Sequence, residues 1–471
     1  MKVAAPIREK VTTIADDGSR IFLHPADVRG FFSTWRAFFG WFLITVFFAL
    51  PWWQIGGYPA IFLDFAARRF HFFGSTFAAQ DMTLLFFVLV GMGLTGYLLT
   101  SLFGRLWCGW SCPHTVFLEQ VFRRIERWID GDAQARRKLD AADWTPEKIF
   151  KRGLKWGIYL LISFVLVHGV LAYFVSLPGL CKMVTHAPWE NWPTFVFMVV
   201  ATGIVFFNFT WFREQLCLAI CPYGRLQSAL QDDDTLMIGY DEKRGEPRGR
   251  PGTVGVGDCI NCMKCVQVCP TGIDIRQGLQ IECVGCANCI DACDAVMAKL
   301  GRKRGLIRYD SLNGLSGGKR RFWRPRVVIY VAILLIGGTV GAFAFSQVKP
   351  IYVSTLRMTG SPYYVDAENV RNQFFLRVVN KSHEPVLVTV RGMVLPQQMK
   401  VLGFESPYEI EPLGEVQRPL VLVMPKGNYL SSERVKIVVE AMRSDGSGRV
   451  EITHNLDFLG PPFRFSQTAK K

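Results

Sequence analysis

The residues best suited to chemistry in this chain are its cysteines, because twelve of the thirteen fall into four short groups. Two groups repeat one pattern, Cys-x2-Cys-x2-Cys-x3-Cys, over Cys259–Cys269 and Cys283–Cys293. Three thiolates at intervals of three wrap around the corners of an iron–sulfur cube, and the repeated pattern is that of bacterial ferredoxins. It predicts two [4Fe–4S] clusters.

The fourth cysteine of each group is predicted to serve the other group's cluster, because it cannot reach the cube held by its own first three. The predicted ligands are Cys259, Cys262, Cys265 and Cys293 for the first cluster, and Cys283, Cys286, Cys289 and Cys269 for the second. Paired Cys-x2-Cys also occurs in zinc ribbons, but those need neither the third cysteine nor the x3-Cys tail. Asp294 replaces a second Pro and removes no ligand.

The other two groups share the spacing Cys-x3-Cys-Pro, and each follows an apolar stretch. We call their four cysteines the CxxxCP tetrad: Cys108, Cys112, Cys217 and Cys221. An i,i+4 pair places both sulfurs on one helix face, and the proline suits the first turn of a new helix. Together the four soft thiolates predict one catalytic metal site for Cu(I), zinc or an iron–sulfur cluster. Simple packing of small cysteines at helix ends is the alternative.

Three further positions are weaker candidates. Cys181, Met183 and His186 could bind copper, although a lone thiol near a helix end more often only packs against neighbouring side chains. His168 lies inside an apolar stretch, where an ionisable group is a functional candidate. A bond to a backbone carbonyl would explain it equally well. His114, beside Cys112-Pro113, could join the tetrad.

Five apolar stretches are long enough to position these groups at a membrane, since about 20 apolar residues span a bilayer core as a helix. They are residues 37–63, 82–104, 157–181, 191–212 and 327–348. Buried helices of a soluble protein are a poor alternative for five such runs. Lys and Arg crowd the loops 104–156 and 213–326, which the positive-inside rule assigns to the cytoplasm. We expect a multi-pass protein of a bacterial inner membrane, with cytoplasmic N-terminus and clusters, and a periplasmic C-terminal domain.

The net charge and the N-terminal residues argue against a nucleic-acid-binding protein and against a signal peptide. The net charge of +15 fits loops beside anionic lipid and requires no nucleic-acid partner. The first 30 residues lack the apolar core of a signal peptide.

These elements predict a multi-domain membrane protein with a transmembrane α domain, an inserted ferredoxin-like α+β domain and a C-terminal all-β sandwich. Short β-branched runs after Pro350 indicate an immunoglobulin-like sandwich, with a barrel as the alternative. The predicted parts are a tail (1–36), four membrane helices (37–240) with a cytoplasmic amphipathic segment (113–155), the ferredoxin domain (241–310), a linker with the fifth helix (311–348), and the sandwich (349–471). In the amphipathic segment, apolar residues between 117 and 129 recur at helical spacing opposite Arg123, Arg124 and Arg127. We expect a helix on the inner leaflet whose arginines face outward.

The sequence resembles the FixG/RdxA/CcoG family, the accessory proteins of cbb3-type cytochrome c oxidase. The resemblance is carried by Cys269-Pro-Thr-Gly-Ile-Asp-Ile-Arg276, Cys289-Ile-Asp-Ala-Cys-Asp294 and Gly305-Leu-Ile-Arg-Tyr309, and by the two CxxxCP motifs. It implies a role in assembling a copper oxidase, with reduction of Cu(II) to Cu(I) before a P-type ATPase exports the ion.

The expected function is therefore that of a membrane metal reductase and assembly factor. A cytoplasmic donor of unknown identity, or a membrane quinol, would feed the two clusters, and copper at the tetrad would accept single electrons. One rival is a quinol-linked electron conduit, in which the tetrad is structural or holds a further cluster. Another is an assembly scaffold whose clusters only sense redox state.

Overall fold

The structure is a computed structural model that describes residues 20–65, 68–78, 81–382, 384–394, 399–404, 406–443 and 449–461. The chain divides into two compact units. The first combines the residues up to Phe65 with Thr83–Gly341, and the second combines Ala66–Met82 with the residues from Ala342 onward.

The α-helices follow one another from the N-terminal region to residue 346. In chain order they are α1 (Phe31–Ala49), α2 (Met82–Phe103), α3 (Leu106–Trp110), α4 (Pro113–Phe117), α5 (Arg123–Asp130), α6 (Ala133–Ala141), α7 (Pro146–Leu171), α8 (Leu177–Thr185), α9 (Trp192–Phe207), α10 (Pro222–Leu230), α11 (Glu242–Gly245), α12 (Lys264–Gln267), α13 (Asn288–Lys299), α14 (Leu312–Leu315) and α15 (Pro325–Ser346). Single π-helical turns occupy Leu118–Phe122, Asn208–Phe212 and Leu216–Ile220, and 3-10 turns occupy Pro188–Asn191, Ile275–Gln277 and Lys426–Asn428.

Five helical segments in the described part of the chain are long and apolar enough to cross a membrane. They are Phe31–Ala49, Leu84–Phe103, Pro146–Leu171, Pro188–Phe212 and Pro325–Ser346. At most 28% of the most apolar window in any of them is buried, so most of their apolar surface faces outward. Such a surface is stable in lipid and not in water, which indicates a membrane protein.

Two helices differ in extent from what the apolar stretches predict: charged residues extend α7 at its start, and α1 ends early. α7 begins at Pro146, well before the predicted residue 157, because Thr145 caps its first turn by accepting a hydrogen bond from the Lys148 amide at 3.3 Å. α1 ends at Ala49, just before Pro51, earlier than the expected end near Trp53.

The segment predicted to lie on the membrane as an amphipathic helix is instead packed into the first unit. α4, the π-helical turn Leu118–Phe122 and α5 form one irregular helical run, whose apolar side chains pack against α7 and Phe209. The Phe122 and Phe209 rings stack with centroids 4.2 Å apart. Arg123, predicted on the outward face, is only 1% exposed, so that part of the prediction is wrong.

The ferredoxin-like part is built on a two-stranded antiparallel sheet. Its strands are β6 (Met237–Tyr240) and β7 (Ile307–Asp310), paired from Met237↔Asp310 to Tyr240↔Ile307. The two cysteine motifs, with α12 and α13, lie between these strands in sequence and share one buried core with them. The sheet therefore starts before the predicted boundary at residue 241.

The second unit contains two antiparallel sheets that enclose one apolar core, so the sandwich prediction is confirmed and the barrel alternative is wrong. The strands of this sandwich are β8 (Ile351–Arg357), β9 (Tyr364–Val365), β10 (Asn369–Asn380), β11 (Val386–Val394), β12 (Lys400–Leu402), β13 (Tyr408–Ile410), β14 (Glu415–Pro425), β15 (Glu433–Arg443) and β16 (Val450–Phe458). One sheet has the order β12-β14-β10-β8, with β9 paired to β10, and the other has the order β13-β11-β15-β16.

Short strands also connect α1 to α2. They are β1 (Gln54–Ile55), β2 (Tyr58–Pro59), β3 (Ile61–Asp64), β4 (Arg69–Phe72) and β5 (Ser75–Ala78). β1 pairs with β2, and β4 pairs with β5, in both cases antiparallel.

Candidate functional site

The first predicted cluster site is a cavity beside β6 and α13. Its wall contains Cys259, Cys262, Cys265 and Cys293. Three of them come from the first motif and the fourth from the end of the second. The structure thus brings together the four cysteines that the sequence assigned to one cluster.

The second predicted cluster site is an adjacent cavity. Its wall contains Cys283, Cys286, Cys289 and Cys269, together with Cys265 of the first set. Because Cys265 contributes to both walls, the two cavities are direct neighbours. One left-handed residue follows the second cysteine of each motif, Met263 (φ 60°) and Ala287 (φ 62°), and starts the helix that carries the third. The motifs are therefore structural repeats.

The chemistry of both cavities fits [4Fe–4S] clusters. Each offers four thiols and an otherwise largely apolar wall, the donor set that such clusters use. Burial raises the pKa of Cys265, Cys283 and Cys293 to about 12 each. Burial of this kind disfavours a free thiolate nucleophile, and it suits thiols that ionise when they bind a positive metal.

The four cysteines of the CxxxCP tetrad lie together at a third location in the first unit. Burial, followed by the proximity of Cys112, Cys108 and Cys221, raises the pKa of Cys217 to about 12. Burial also raises the pKa of Cys108 to about 11, although the Arg105 guanidinium opposes the rise. The Cys108 thiol donates a hydrogen bond to the Gln227 side-chain carbonyl at 2.9 Å.

The local geometry of the tetrad differs from the predicted i,i+4 pairs on a single helix. Cys108 lies in α3, but Cys112 has φ −59° and ψ 123° and is the residue before α4, which begins at Pro113. Cys217 lies in a π-helical turn, and Cys221 directly precedes α10. The prolines do start new helices, as predicted. The single-helix pairing is wrong because the chain turns between the two cysteines of each motif.

The tetrad adjoins the second four-thiol cavity. Cys108, Val284 and Cys286 form one small buried cluster. A Cβ at Gly109 would come within 2.7 Å of the Val284 carbonyl oxygen and 2.8 Å of Gly285, so only glycine allows this approach. Arg105 also donates a hydrogen bond to the Ile281 carbonyl. An electron leaving the second cavity therefore has the tetrad as its immediate neighbour.

Buried arginines surround the second cavity. Arg36 donates a hydrogen bond to the carbonyl of Cys286 at 3.2 Å, and Arg123 donates one to the carbonyl of Pro270 at 3.2 Å. Burial alone would raise the pKa of Glu119, but Arg123 and Arg36 lower it below its ordinary value. Positive charge held in place by acidic partners favours the reduced, more negative state of a nearby cluster.

These arginines belong to a buried ionic network that the sequence analysis missed. Arg123 pairs with Glu119 and with Glu214 at 3.3 Å, and Arg213 pairs with Glu126 at 2.9 Å. The partners of two of these pairs are about 90 positions apart in sequence. Only the i,i+4 spacing of Glu119 and Arg123 could have indicated a pair.

The weaker candidates have other partners. His114 engages both ring nitrogens, with the Arg213 carbonyl at 3.0 Å and the Asn208 side chain at 3.2 Å, so it does not join the tetrad. His168 bonds to the Phe164 carbonyl at 2.8 Å, and His186 to the Lys182 carbonyl at 2.6 Å. Cys181 is exposed and carries a free thiol.

In the described part of the chain, no three His, Cys, Asp or Glu side chains are grouped so that they could hold a single metal ion. This holds for the two ferredoxin-type sets, as expected for ligands that surround a four-iron cube. It also holds for the tetrad.

Comparisons with known proteins agree with this arrangement. A family model described as a 4Fe-4S dicluster domain matches residues 212–312, and one described as a 4Fe-4S binding domain matches residues 84–131. A third, described as the immunoglobulin-like fold at the C-terminus of FixG, matches residues 341–461.

Relatives align over most of the chain. The protein RdxA of Cereibacter sphaeroides is 37% identical, over 86% of this chain and 90% of its own length. The nitrogen fixation protein FixG of Rhizobium meliloti is 32% identical, over 92% and 90% respectively. The protein RdxB of Cereibacter sphaeroides is 36% identical, over 76% and 79%.

Proposed function

We propose, from the premise that the chain belongs to the FixG/RdxA family of membrane iron–sulfur proteins, that it reduces Cu(II) to Cu(I) for copper delivery. The observation that carries the proposal is the contact between the tetrad and the second four-thiol cavity at Cys108 and Cys286. The proposal assigns the second four-thiol cavity the role of redox donor and the adjacent tetrad the role of soft-metal acceptor.

The residues divide the work between two kinds of site. [4Fe–4S] clusters, when bound by the eight ferredoxin-type cysteines, supply one-electron reducing equivalents. The tetrad binds the cupric substrate, which takes up one electron and becomes Cu(I), the copper ion that thiolates prefer. Arg105 assists because its charge favours the Cys108 thiolate, and Gln227 orients the Cys108 sulfur.

The proposed setting is a bacterial inner membrane, with the N-terminus and the clusters in the cytoplasm and the sandwich in the periplasm. The distribution of Lys and Arg between the loops supports this orientation. A reporter that is active only in the periplasm should work when fused at Lys471 and fail when inserted within residues 130–145. Activity at both positions would contradict the orientation.

The proposed partners are the assembly machinery of cbb3-type cytochrome c oxidase and a copper-exporting P-type ATPase. Family resemblance supports them, as does the chemistry, because a transporter of Cu(I) needs its cargo reduced beforehand.

A second candidate is an electron conduit in which the tetrad holds a third [4Fe–4S] cluster. Two observations favour it. The tetrad thiols are not grouped so that they could hold a single ion, and the 4Fe-4S binding domain matched at residues 84–131 includes Cys108 and Cys112. In this case the chain would pass electrons onward without retaining copper.

The rate of Cu(I) formation tests the proposed reaction. Purified protein, reduced anaerobically and given Cu(II) with a chelator specific for Cu(I), should produce Cu(I) rapidly. The Cys217→Ser/Cys221→Ser double variant should be slowed, while the matched control Cys181→Ser, which changes an exposed thiol outside the tetrad, should retain the full rate. Equal rates in all three proteins would contradict the proposal.

A further inference from the structure

The first unit contains an open groove of about 1090 Å³ between α1 and α2, which extends to α3 and Tyr223. It lies beside the tetrad, and the proposed copper reduction does not use it. Along α2 it runs from Gly91 to Gly104, about 20 Å at the helical rise of about 1.5 Å per residue. Its volume is in the range of ligand sites that bind molecules of several hundred daltons.

The groove is apolar and aromatic at the end nearest the cysteines. Trp107 and Trp110, which flank Cys108, form part of its wall, and Trp35 and Phe38 of α1 face them across it. The Trp35 and Phe38 rings meet edge to face at 6.0 Å. Flat aromatic walls of this kind stack on planar rings. Trp35, Phe38 and Trp107 are each roughly half exposed, so the groove is open along its side.

Two side chains with hydroxyl groups are also part of the groove. Ser111 precedes Cys112, and Tyr223 follows Cys221-Pro222; both belong to the wall of the groove. The Tyr223 oxygen would be 3.7 Å from a Cβ at Gly96, which places it over the α2 surface. Two hydroxyls beside an aromatic slot can form hydrogen bonds with the oxygens of a planar ring.

A hydrogen-bond chain joins the groove to the second four-thiol cavity. The Trp110 indole N–H donates to the Tyr309 hydroxyl at 3.2 Å, and that hydroxyl donates to the Gly285 carbonyl at 2.6 Å. Gly285 lies between Cys283 and Cys286. The large groove between α7 and α9 contains no residue adjacent in sequence to a motif cysteine. A cavity of about 680 Å³ that includes Cys283 also lies next to the redox groups, but its wall carries Arg105, Asp232, Asp233 and Glu282. The α1–α2 groove is therefore the apolar one next to the redox groups.

Glycines create the space without being needed for helix packing. A Cβ at Gly91 or Gly93 would meet nothing within 4 Å, and one at Gly96 would meet only the Tyr223 hydroxyl at 3.7 Å. These positions thus widen the groove in a helix whose other residues are mostly large and apolar. A larger side chain here would occupy the groove and leave the helix contacts intact.

We infer that the α1–α2 groove binds an isoprenoid quinol, which is the electron donor. Such a molecule combines a planar redox ring that carries two oxygens with an apolar tail, and it reaches an open groove through the lipid. The aromatic slot takes the ring, Ser111 and Tyr223 take its oxygens, and the part of the groove beyond Tyr223, along Gly91 and Gly93, takes the tail.

The assignment of binding stands on the groove alone, whereas the destination of the electrons rests on the proposed function. The balanced reaction is QH2 + 2 Cu(II) → Q + 2 Cu(I) + 2 H+. Both ring O–H bonds break, each cupric ion takes one electron, and the two protons pass to water at the tetrad end. A quinol gives two electrons and each copper takes one, and two one-electron sites, one for each four-thiol cavity, can hold both electrons between them.

Photolabelling of the full-length protein with an azidoquinone in quinone-free vesicles tests the binding. We expect label on the tryptic peptide that contains Trp107 and Trp110, with about tenfold less in Gly96→Phe and in Gly93→Leu. The matched control Gly338→Phe also changes a helical glycine with open space around it, but it lies outside the groove and should label like the wild type. Iron content confirms that each variant is folded.

A second readout separates this inference from the proposed function. Duroquinol should bleach the iron–sulfur absorbance of the wild type and of Gly338→Phe, but not that of Gly96→Phe, in the absence of copper. Equal labelling of all variants, or failure of excess unlabelled quinone to displace the label, would overturn the quinol site. Labelling and bleaching as expected, without any Cu(I) formation, would instead overturn the copper reductase and leave the quinol site intact.

Discussion

Gly109 of α3 lies so close to Val284 that a methyl group at position 109 would come within 2.7 Å of the Val284 carbonyl oxygen. Val284 stands between Cys283 and Cys286 of the second motif, and Gly109 stands next to Cys108 of the tetrad. This contact sets the distance between the two redox sites, and backbone atoms on both sides leave little room to adjust.

Replacing this glycine should therefore separate the two sites. In Gly109→Ala we expect unchanged iron content but Cu(I) formation slowed at least about tenfold, since displacements of about 1 Å can cost reactions up to about a hundredfold. Gly153→Ala, in a helical position with nothing within 4 Å, should retain the wild-type rate. Equal rates in both variants would show that the contact does not govern transfer.

The exchange of ligands between motifs can be tested at Cys293. Because Cys293 lines the cavity of Cys259, Cys262 and Cys265, Cys293→Ser should damage the first cluster and spare the second. About four of about eight iron atoms should be lost, together with the magnetic coupling between two reduced clusters. Electron paramagnetic resonance on anaerobic protein provides the measurement. Loss of the second cluster with retention of the first would reverse the assignment.

The parts of the structure that follow from local pattern could be predicted. The ferredoxin-type motifs, the five apolar helices and the C-terminal sandwich each depend on spacing or periodicity within a short window. The convergence of Cys108 and Cys217 could also be predicted, because the repeated Cys-x3-Cys-Pro implied equivalent positions. The structure adds that the chain turns between the two cysteines of each pair, a consequence of Pro113 and Pro222 starting new helices.

Long-range features could not be predicted. The aromatic groove depends on how α1 packs beside α2, and the buried pair of Arg123 and Glu214 joins residues 91 positions apart. In the sequence, Arg123 lies among basic residues on the polar face of an amphipathic helix, and this face is expected to point outward. Its true environment is set by the acidic residues that tertiary packing brings to it, so pattern alone assigned it to the wrong face.

Arg123, through its buried ion pairs, should contribute strongly to the stability of the first unit. Arg123→Leu leaves Glu119 and Glu214 buried with one partner fewer, and breaking a buried ion pair in this way typically costs about 3–5 kcal/mol. Thermal unfolding in detergent should show the loss. Lys151→Leu, which breaks an exposed i,i+4 pair with Glu147, should cost no more than about 1 kcal/mol. Similar losses in both variants would contradict the assigned burial.

Stability should also depend on pH through His24. Burial lowers the pKa of His24 from 6.5 to about 4, so the folded state disfavours its protonation. The stabilisation is fully present above pH 6.5 and is lost as the pH falls toward 4, because the unfolded chain binds the proton first.

The expected loss between pH 7 and pH 5 is about 1–2 kcal/mol, given about 1.4 kcal/mol per pKa unit and partial solvent access. Thermal unfolding in detergent across this range should show a smaller pH dependence in His24→Gln than in the wild type. His186→Gln, at an exposed histidine, is the matched control and should keep the wild-type slope. An unchanged slope in His24→Gln would contradict the assignment.

We propose that copper is bound and reduced at the CxxxCP tetrad, next to the second iron–sulfur site. Copper and iron counted on the same anaerobic preparation of the wild type and of Cys108→Ser/Cys112→Ser test it most directly. We predict about eight iron atoms per chain in both proteins, with bound Cu(I) present in the wild type and lost in the variant. The contradicting result is about twelve iron atoms falling to about eight in the variant with no change in copper, because the tetrad would then hold a third cluster.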